Sequence, residues 1–235
     1  DFAQSGYPDF SDCEGFMGFL AWDEPQSGSF EQLAEFAANF EKVYAGTDVT
    51  FMVNLLPSYA SVFNGTSSWW ESSMSSLDTE AFKNYLKSYC DTVLSQVSGE
   101  KWLSLDTYPI NADETLTANF LFDLAMLKYY AEYAGATSHA VLQSSGWKEG
   151  EHTSKYRMPT AAEMEMQAYA AMAFGIDTIS WWSYSDKRGD NQLNPTDSDA
   201  DYAEFAEANN ELAAIQSVYS AFDWKGIILG AGKNN

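Results

Sequence analysis

Residues 102–110, WLSLDTYPI, decide the fold. Their period-two alternation puts Leu103, Leu105 and Thr107 on one face of an extended segment and Ser104, Asp106 and Tyr108 on the other. A strand with one apolar face packs against helices, while its other face opens on a polar space at its end. Helical periodicity flanks it on both sides, over Thr79–Val97 with a stop at Gly99 and over Thr117–Ala134 with a stop at Gly135. Together they spell a β-strand feeding an α-helix.

The same punctuation recurs outward in both directions. Strands are expected at Phe16–Trp22, Val49–Leu56, Trp102–Ile110, His139–Ser144 and Thr178–Tyr184. Further helices are expected at Phe30–Ala45, Ala161–Phe174 and Asp201–Phe222. Ser29 with Gln32 and Thr160 with Glu163 fit the capping box, and Gly46 and Gly175 close their helices as left-handed caps. Strand-helix alternation of this kind builds a parallel α/β sheet or a (β/α)8 barrel. Five βα units and a last apolar run, Gly226–Gly230, are too few for eight. The chain is therefore expected to be the C-terminal five units of a TIM-type barrel, a partial barrel domain over 1–225 with 226–235 a final strand or the start of a following segment. A five-stranded open sheet is the alternative.

Of 235 residues, 46% are hydrophobic, enough for a sizeable core. With 12 Lys+Arg against 34 Asp+Glu the formal charge is -22, which repels phosphate backbones and anionic membranes and argues against nucleic acid as a partner. No apolar run is long enough to span a bilayer. Two cysteines, Cys13 and Cys90, make no disulfide framework or zinc site. The acidity and the many Ser, Thr, Asn and aromatic residues fit a secreted or cell-surface bacterial protein.

In a parallel βα fold the carboxyl ends of all strands open on one face, so polar residues ending several strands converge there. Those residues are Asp23 and Glu24, then Asn54, then Asp106 with Tyr108, then Gln143 with Ser144, then Trp182 with Tyr184. Two adjacent carboxylates after the apolar run GFMGFLAW (15–22) are costly to bury, and an aromatic setting drives their pKa values apart, as acid/base chemistry requires. Asp106 either joins them or only accepts hydrogen bonds from neighbouring loops. Trp69, Trp70, Trp147, Trp181 and Trp182 follow or end strands, where flat rings stack on sugars or else plug the core. Neighbours on a strand face opposite ways, so one Trp of each adjacent pair is expected in the core.

Other motifs fail on their spacing. GIILGAGKNN (226–235) lacks the phosphate-loop glycine pattern and the Ser or Thr after its lysine. DSDADYAEFAEA (197–208) has Tyr202 at the glycine position of a calcium loop and Ala208 at its bidentate glutamate, and reads as a solvated helix start. His139 and His152 lack metal-ligand spacing, and no serine sits in a nucleophile elbow. No metal or other cofactor is expected.

The order GFLAWDEP (18–25), FMVNLLPSYAS (51–61), WLSLDTYPI (102–110), AVLQSSGW (140–147) and AYAAMAFGIDTISWWSYSD (168–186) resembles the bacterial β-galactosidase-like glycoside hydrolases over their fourth to eighth barrel strands. The resemblance implies a retaining-clan (β/α)8 barrel, a carbohydrate substrate, and Glu24 as general acid/base after the polar Asp23. It further implies that the front half of the barrel, or further domains, belong to the same protein. Where that clan has its nucleophile this chain has Gln143, an amide that neither ionises nor attacks. Asp106 is the first-ranked second carboxylate, ahead of Asp23, Glu149 and Glu151, with its carboxyl expected within about 10 Å of Glu24, a span that suits inversion. Asn54, Tyr108, Gln143, Trp147, Trp182 and Tyr184 join Asp23 as expected substrate-binding residues. The alternative is a carbohydrate-binding or structural barrel that has lost its nucleophile.

Overall fold

The computed structural model describes residues 7–10, 12–65, 77–149, 152–153, 156–184, 192–196 and 198–227. In chain order these form β1 (Gly18–Asp23), α1 (Phe30–Tyr44), β2 (Thr50–Leu55), α2 (Ser61–Asn64), α3 (Thr79–Thr92), β3 (Trp102–Thr107), α4 (Phe120–Ala134) and β4 (Thr137–Gln143). After β4 come β5 (Gly146–Glu149), β6 (His152–Thr153), α5 (Ala161–Ala173), β7 (Thr178–Trp182), β8 (Gln192–Leu193) and α6 (Asp199–Tyr219).

The five expected strands form one parallel, curled sheet in the order β1-β2-β3-β4-β7, the arc of a partial TIM-type barrel. Short antiparallel β6-β5-β8 forms a separate excursion beyond the end of β4. The convex face of the main sheet is apolar. Phe51, Val53, Leu55, Leu103, Leu105, Ala140 and Leu142 point outward and pack with Leu33, Phe40, Phe82, Leu86, Leu124 and Leu127 of the helices.

Helix ends follow local chemistry. Thr160 accepts from the Glu163 N–H while the Glu163 carboxylate accepts from the Thr160 N–H, the expected capping box. Ser29 does not cap α1: a 3-10 turn over Ser27–Ser29 precedes the helix, so the chain enters already coiled and the Phe30 N–H donates to the Ser27 carbonyl. Gly135, at φ 62°, ends α4 in the left-handed conformation that favours glycine. Gly99 does not act this way, because α3 stops at Thr92 and a 3-10 turn, Leu94–Gln96, intervenes. β3 stops at Thr107, short of Ile110, since Pro109 has no N–H for the ladder. Residues 226–227 are irregular, and 228–230 lie outside the described residues, as do Trp69, Trp70 and Glu151. Among the described residues no helix is long and apolar enough to cross a membrane.

Candidate active site

The answer to why two successive carboxylates end β1 is a bulge. Pairing with β2 slips between Leu20 and Trp22, leaving Ala21 unpaired. Beyond the slip the strand changes phase: Trp22 packs outward on Phe36 of α1, with ring centroids 6.1 Å apart, while Leu20 and Asp23 face the concave side. A bulge is a common device for re-aiming a side chain at a site. Glu24 then adopts φ 49°, uncommon for a residue with a Cβ, and its N–H donates to the Asn54 carbonyl at 2.8 Å. Both carboxylates thereby enter one cleft, which two neighbours on a regular strand do not do.

The cleft holds about 320 Å³ at the carboxyl ends of the strands. It is lined by Asp23, Glu24, Asn54, Asp106, Tyr108, Trp147 and Trp182, together with Leu20, Met52, Ser104, His139, Val141, Ser180 and Trp181. Tyr108, Trp147 and Tyr156 form an aromatic wall, with Tyr108–Trp147 centroids at 5.4 Å and Trp147–Tyr156 at 4.9 Å. Both members of the last tryptophan pair border the cleft, but Trp181 is tied to α6 by its Nε1–H, which donates to Asn209 at 3.1 Å.

Two expected binding residues stand elsewhere. Gln143 is fully buried: its Oε1 accepts from the Ile110 N–H at 2.8 Å and its Nε2 donates to the carbonyls of Ile110, Ser145 and Arg157. Its amide staples the excursion after β4 to the loop after β3, outside the cleft lining. Tyr184 is exposed and packs against Tyr202 and Phe205 of α6, away from the cleft lining. The Glu149 side chain lies outside the described residues.

The Glu24 and Asp106 carboxyls face the same cleft within hydrogen-bonding reach of each other. Burial, then the charge of Asp23, pushes the Glu24 carboxyl up, partly offset by the bond to Asp106. Asp106, 3% exposed, is held well above the usual carboxylate range by burial and then by Glu24, with the Asn54 amide pulling the other way. Two carboxyls so close in a low-dielectric site cannot both ionise without a large penalty, so the pair shares a proton. The two carboxyls fall within the expected limit of about 10 Å, at a proximity that does not leave the room an inverting pair gives its water.

Asn54 is the hub of this cluster. Its Nδ2 donates to Asp23 Oδ1 at 3.1 Å and to Asp106 Oδ1 at 3.0 Å. Its Oδ1 accepts from Ser104 Oγ at 3.0 Å; Ser104 Oγ is 2.8 Å from His139 Nδ1, and His139 Nε2 is 3.0 Å from Ser180 Oγ. Polar side chains from all five strands, two of them from β3, thus join a single belt across the concave face. Burial lowers His139 to about 4, so its ring is neutral at pH 7. Among the described residues no group of three or more His, Cys, Asp or Glu is arranged to hold a metal ion.

Glu24 also borders a second hollow of about 210 Å³, lined with Gln26, Leu56, Pro57, Tyr59, Ala60, Ser61 and Val62. The loop that walls it is pinned from beneath. Tyr85 accepts from the Leu56 N–H at 3.2 Å and donates to the Pro25 carbonyl at 2.7 Å, and Asp123 of α4 accepts from the Ser58 N–H at 3.2 Å and from Thr107 Oγ1 at 3.1 Å. Asp123, wholly buried, is pushed up to about 7 by that burial. Sequence reasoning missed His139 and Ser180 as site residues, although the alternation applied to β3 places both inward when extended to β4 and β7. Asp123 carried no such signal, being one acidic residue on a helix.

No family model and no curated protein matches this chain. Among solved structures it is similar to a "putative alpha-L-fucosidase" from Bacteroides thetaiotaomicron, with a TM-score of 0.56 and 10% identity over 90% of this chain. The chain spans 59% of that protein's length. At this identity the likeness shows the fold alone, that of a partial TIM-type barrel. It does not reach the narrower β-galactosidase-like family.

Proposed function

We propose that this chain is the catalytic-face portion of a glycoside hydrolase, in which Glu24 delivers a proton to the glycosidic oxygen. The observation that carries the reading is the buried carboxyl pair Glu24–Asp106 at the strand ends of an aromatic-lined cleft. A carboxyl held above its ordinary range is what a general acid needs, and burial, then the charge of Asp23, raises Glu24. Tyr108, Trp147 and Trp182 offer the flat apolar faces on which a sugar stacks. Glu24 lies between the aromatic cleft and the second hollow, where a scissile bond would have one sugar on each side.

Asp106, in contact with the acid, is not placed to attack from the opposite face of the sugar. We assign that carboxylate to Asp23 at the cleft rim or to strands completing the barrel along the edges of β1 and β7, which pair with no further strand among the described residues. The protein is read as secreted or at a cell surface, with a carbohydrate substrate and neither nucleic acid nor a resident cofactor.

A second reading is favoured by Gln143, whose amide is spent on loop stapling where a nucleophile would stand. In it the barrel binds a carbohydrate without cleaving it. Turnover of a panel of aryl glycosides, α-L-fucosides and β-D-galactosides included, separates the two. Glu24→Gln is expected to lower kcat by at least about 100-fold on substrates with poor leaving groups and far less on activated aryl substrates. Equal turnover by both proteins would sink the Glu24 assignment, and saturable binding without turnover establishes the second reading.

A further inference from the structure

The hydrogen-bond belt has one self-consistent direction, and it points at the carboxyl pair. Asn54 faces two carboxyls with its Nδ2, which carries two hydrogens, one for each. Its Oδ1 can only accept, so the single Ser104 hydroxyl hydrogen is committed to it at 3.0 Å. Ser104 must then receive a hydrogen from His139 Nδ1 at 2.8 Å. A neutral imidazole with its proton on Nδ1 bears a lone pair on Nε2, and that lone pair accepts from the Ser180 hydroxyl at 3.0 Å. Every donor in the row Ser180, His139, Ser104, Asn54 is aimed toward Asp23 and Asp106. Aligned hydrogen bonds polarise one another, and in a buried site this strengthens the last one.

We propose that His139 is a positioning residue for the carboxyl pair: as the neutral Nδ1–H form it fixes the Ser104 hydroxyl, which locks the Asn54 amide with its nitrogen toward Asp23 and Asp106. Without that lock Ser104 can turn its hydrogen away, and the Asn54 amide can rotate its oxygen against the carboxyls. The charged groups facing the pair among the described residues are Asp23 and the two members themselves, and the phenols around it are Tyr59, Tyr85, Tyr108 and Tyr156. The Asn54 amide is therefore a principal counterweight to the crowding of acids. Trp102 closes the other side of His139, with ring centroids 5.4 Å apart. The inference concerns proton placement and stands whether or not a glycoside is cleaved.

The test is carboxyl carbon-13 NMR of Glu24 and Asp106 through a pH titration of the intact chain. His139→Phe keeps the ring volume but donates nothing; His139→Asn leaves a cavity but puts an N–H close to the Nδ1 position. The upper apparent pKa of the pair is expected to rise by about one pH unit in His139→Phe, the scale of a lost hydrogen bond to a charged group, and to return toward wild type in His139→Asn. A packing role predicts the reverse order, with Asn the more disturbed, and that order overturns the proposal, as does an unchanged titration in both. Should His139→Phe fail to fold, Ser104→Ala breaks the same row with little change of volume and must raise the same pKa. Nitrogen-15 spectra of wild type at pH 7 provide a second check, expected to show a protonated Nδ1 and a bare Nε2; the opposite tautomer overturns the assignment.

Discussion

The convex and concave faces of the five-stranded sheet are written by alternate residues of the same strands, yet they obey different physics. On β3, Leu103 and Leu105 face the helices, fully buried among apolar side chains, while Ser104 and Asp106 face the cleft, equally buried among polar ones. Burial lowers the free energy on the first face through apolar area removed from water. On the second it raises the cost of every charge, which hydrogen bonds then offset only in part. Equal burial therefore marks a stabilising residue on one face and a costly polar one on the other.

The largest expected effect sets neighbours against each other. Leu105→Ala should cost about 2–5 kcal/mol of unfolding free energy, the range for a large-to-small change in a packed core. Asp106→Asn, one residue on, should leave stability at pH 8 within about 1 kcal/mol of wild type or above it, because it removes a buried acid, and should abolish the proton sharing with Glu24. Urea unfolding of both variants decides; a loss in Asp106→Asn as large as in Leu105→Ala would break the contrast.

Asp123 extends the comparison to a buried acid outside the cleft. Its carboxyl sits near 7 when folded against an ordinary value of 3.8. Between those values the folded state holds a proton that the unfolded state has released, so stability falls as pH rises through that window. The fall attributable to this group is on the order of 4 kcal/mol from pH 4 to pH 8. Asp123→Asn should flatten that dependence, since an amide can still accept from the Ser58 N–H and donate to Thr107. Unchanged steepness in urea midpoints measured across pH would assign the dependence to the Glu24–Asp106 pair instead.

The smallest contrast lies at two helix starts with the same apparent signature. Thr160→Ala should cost about 1 kcal/mol, because the threonine caps its helix. Ser29→Ala should change stability by less than about 0.5 kcal/mol, because Ser29 makes no capping bond. Thermal unfolding of the two variants reads the difference directly.

The alternation in 102–110 was legible because the period of a strand is a local property, and it placed Asp106 and Tyr108 toward the cleft as the structure has them. Pro109 cut the strand short for an equally local reason. The phase change in β1 was not legible: nothing in FLAWDE announces that Ala21 bulges, and only pairing with β2 reveals it. Gln143 and Tyr184 were misplaced because residues at a strand end can turn toward the cleft or into neighbouring loops, and partners distant in sequence, Ile110 and Arg157 for the one, Tyr202 and Phe205 for the other, made that choice.

By itself, then, the sequence determined the five strands of the main sheet, the long helices between them, their parallel order and the rim on which polar residues gather, since hydrophobic period and helix punctuation act over a few neighbours. Tertiary structure alone decided that Glu24 and Asp106 touch, that Asn54 bridges Asp23 to Asp106, and that His139 stands at the far end of that bridge. Asn54 alone joins Asp23, 31 positions away, to Asp106, 52 positions away. Hydrogen-bond direction and shared protons depend on distances of a few tenths of an ångström, which arise only when five separate strands lie side by side.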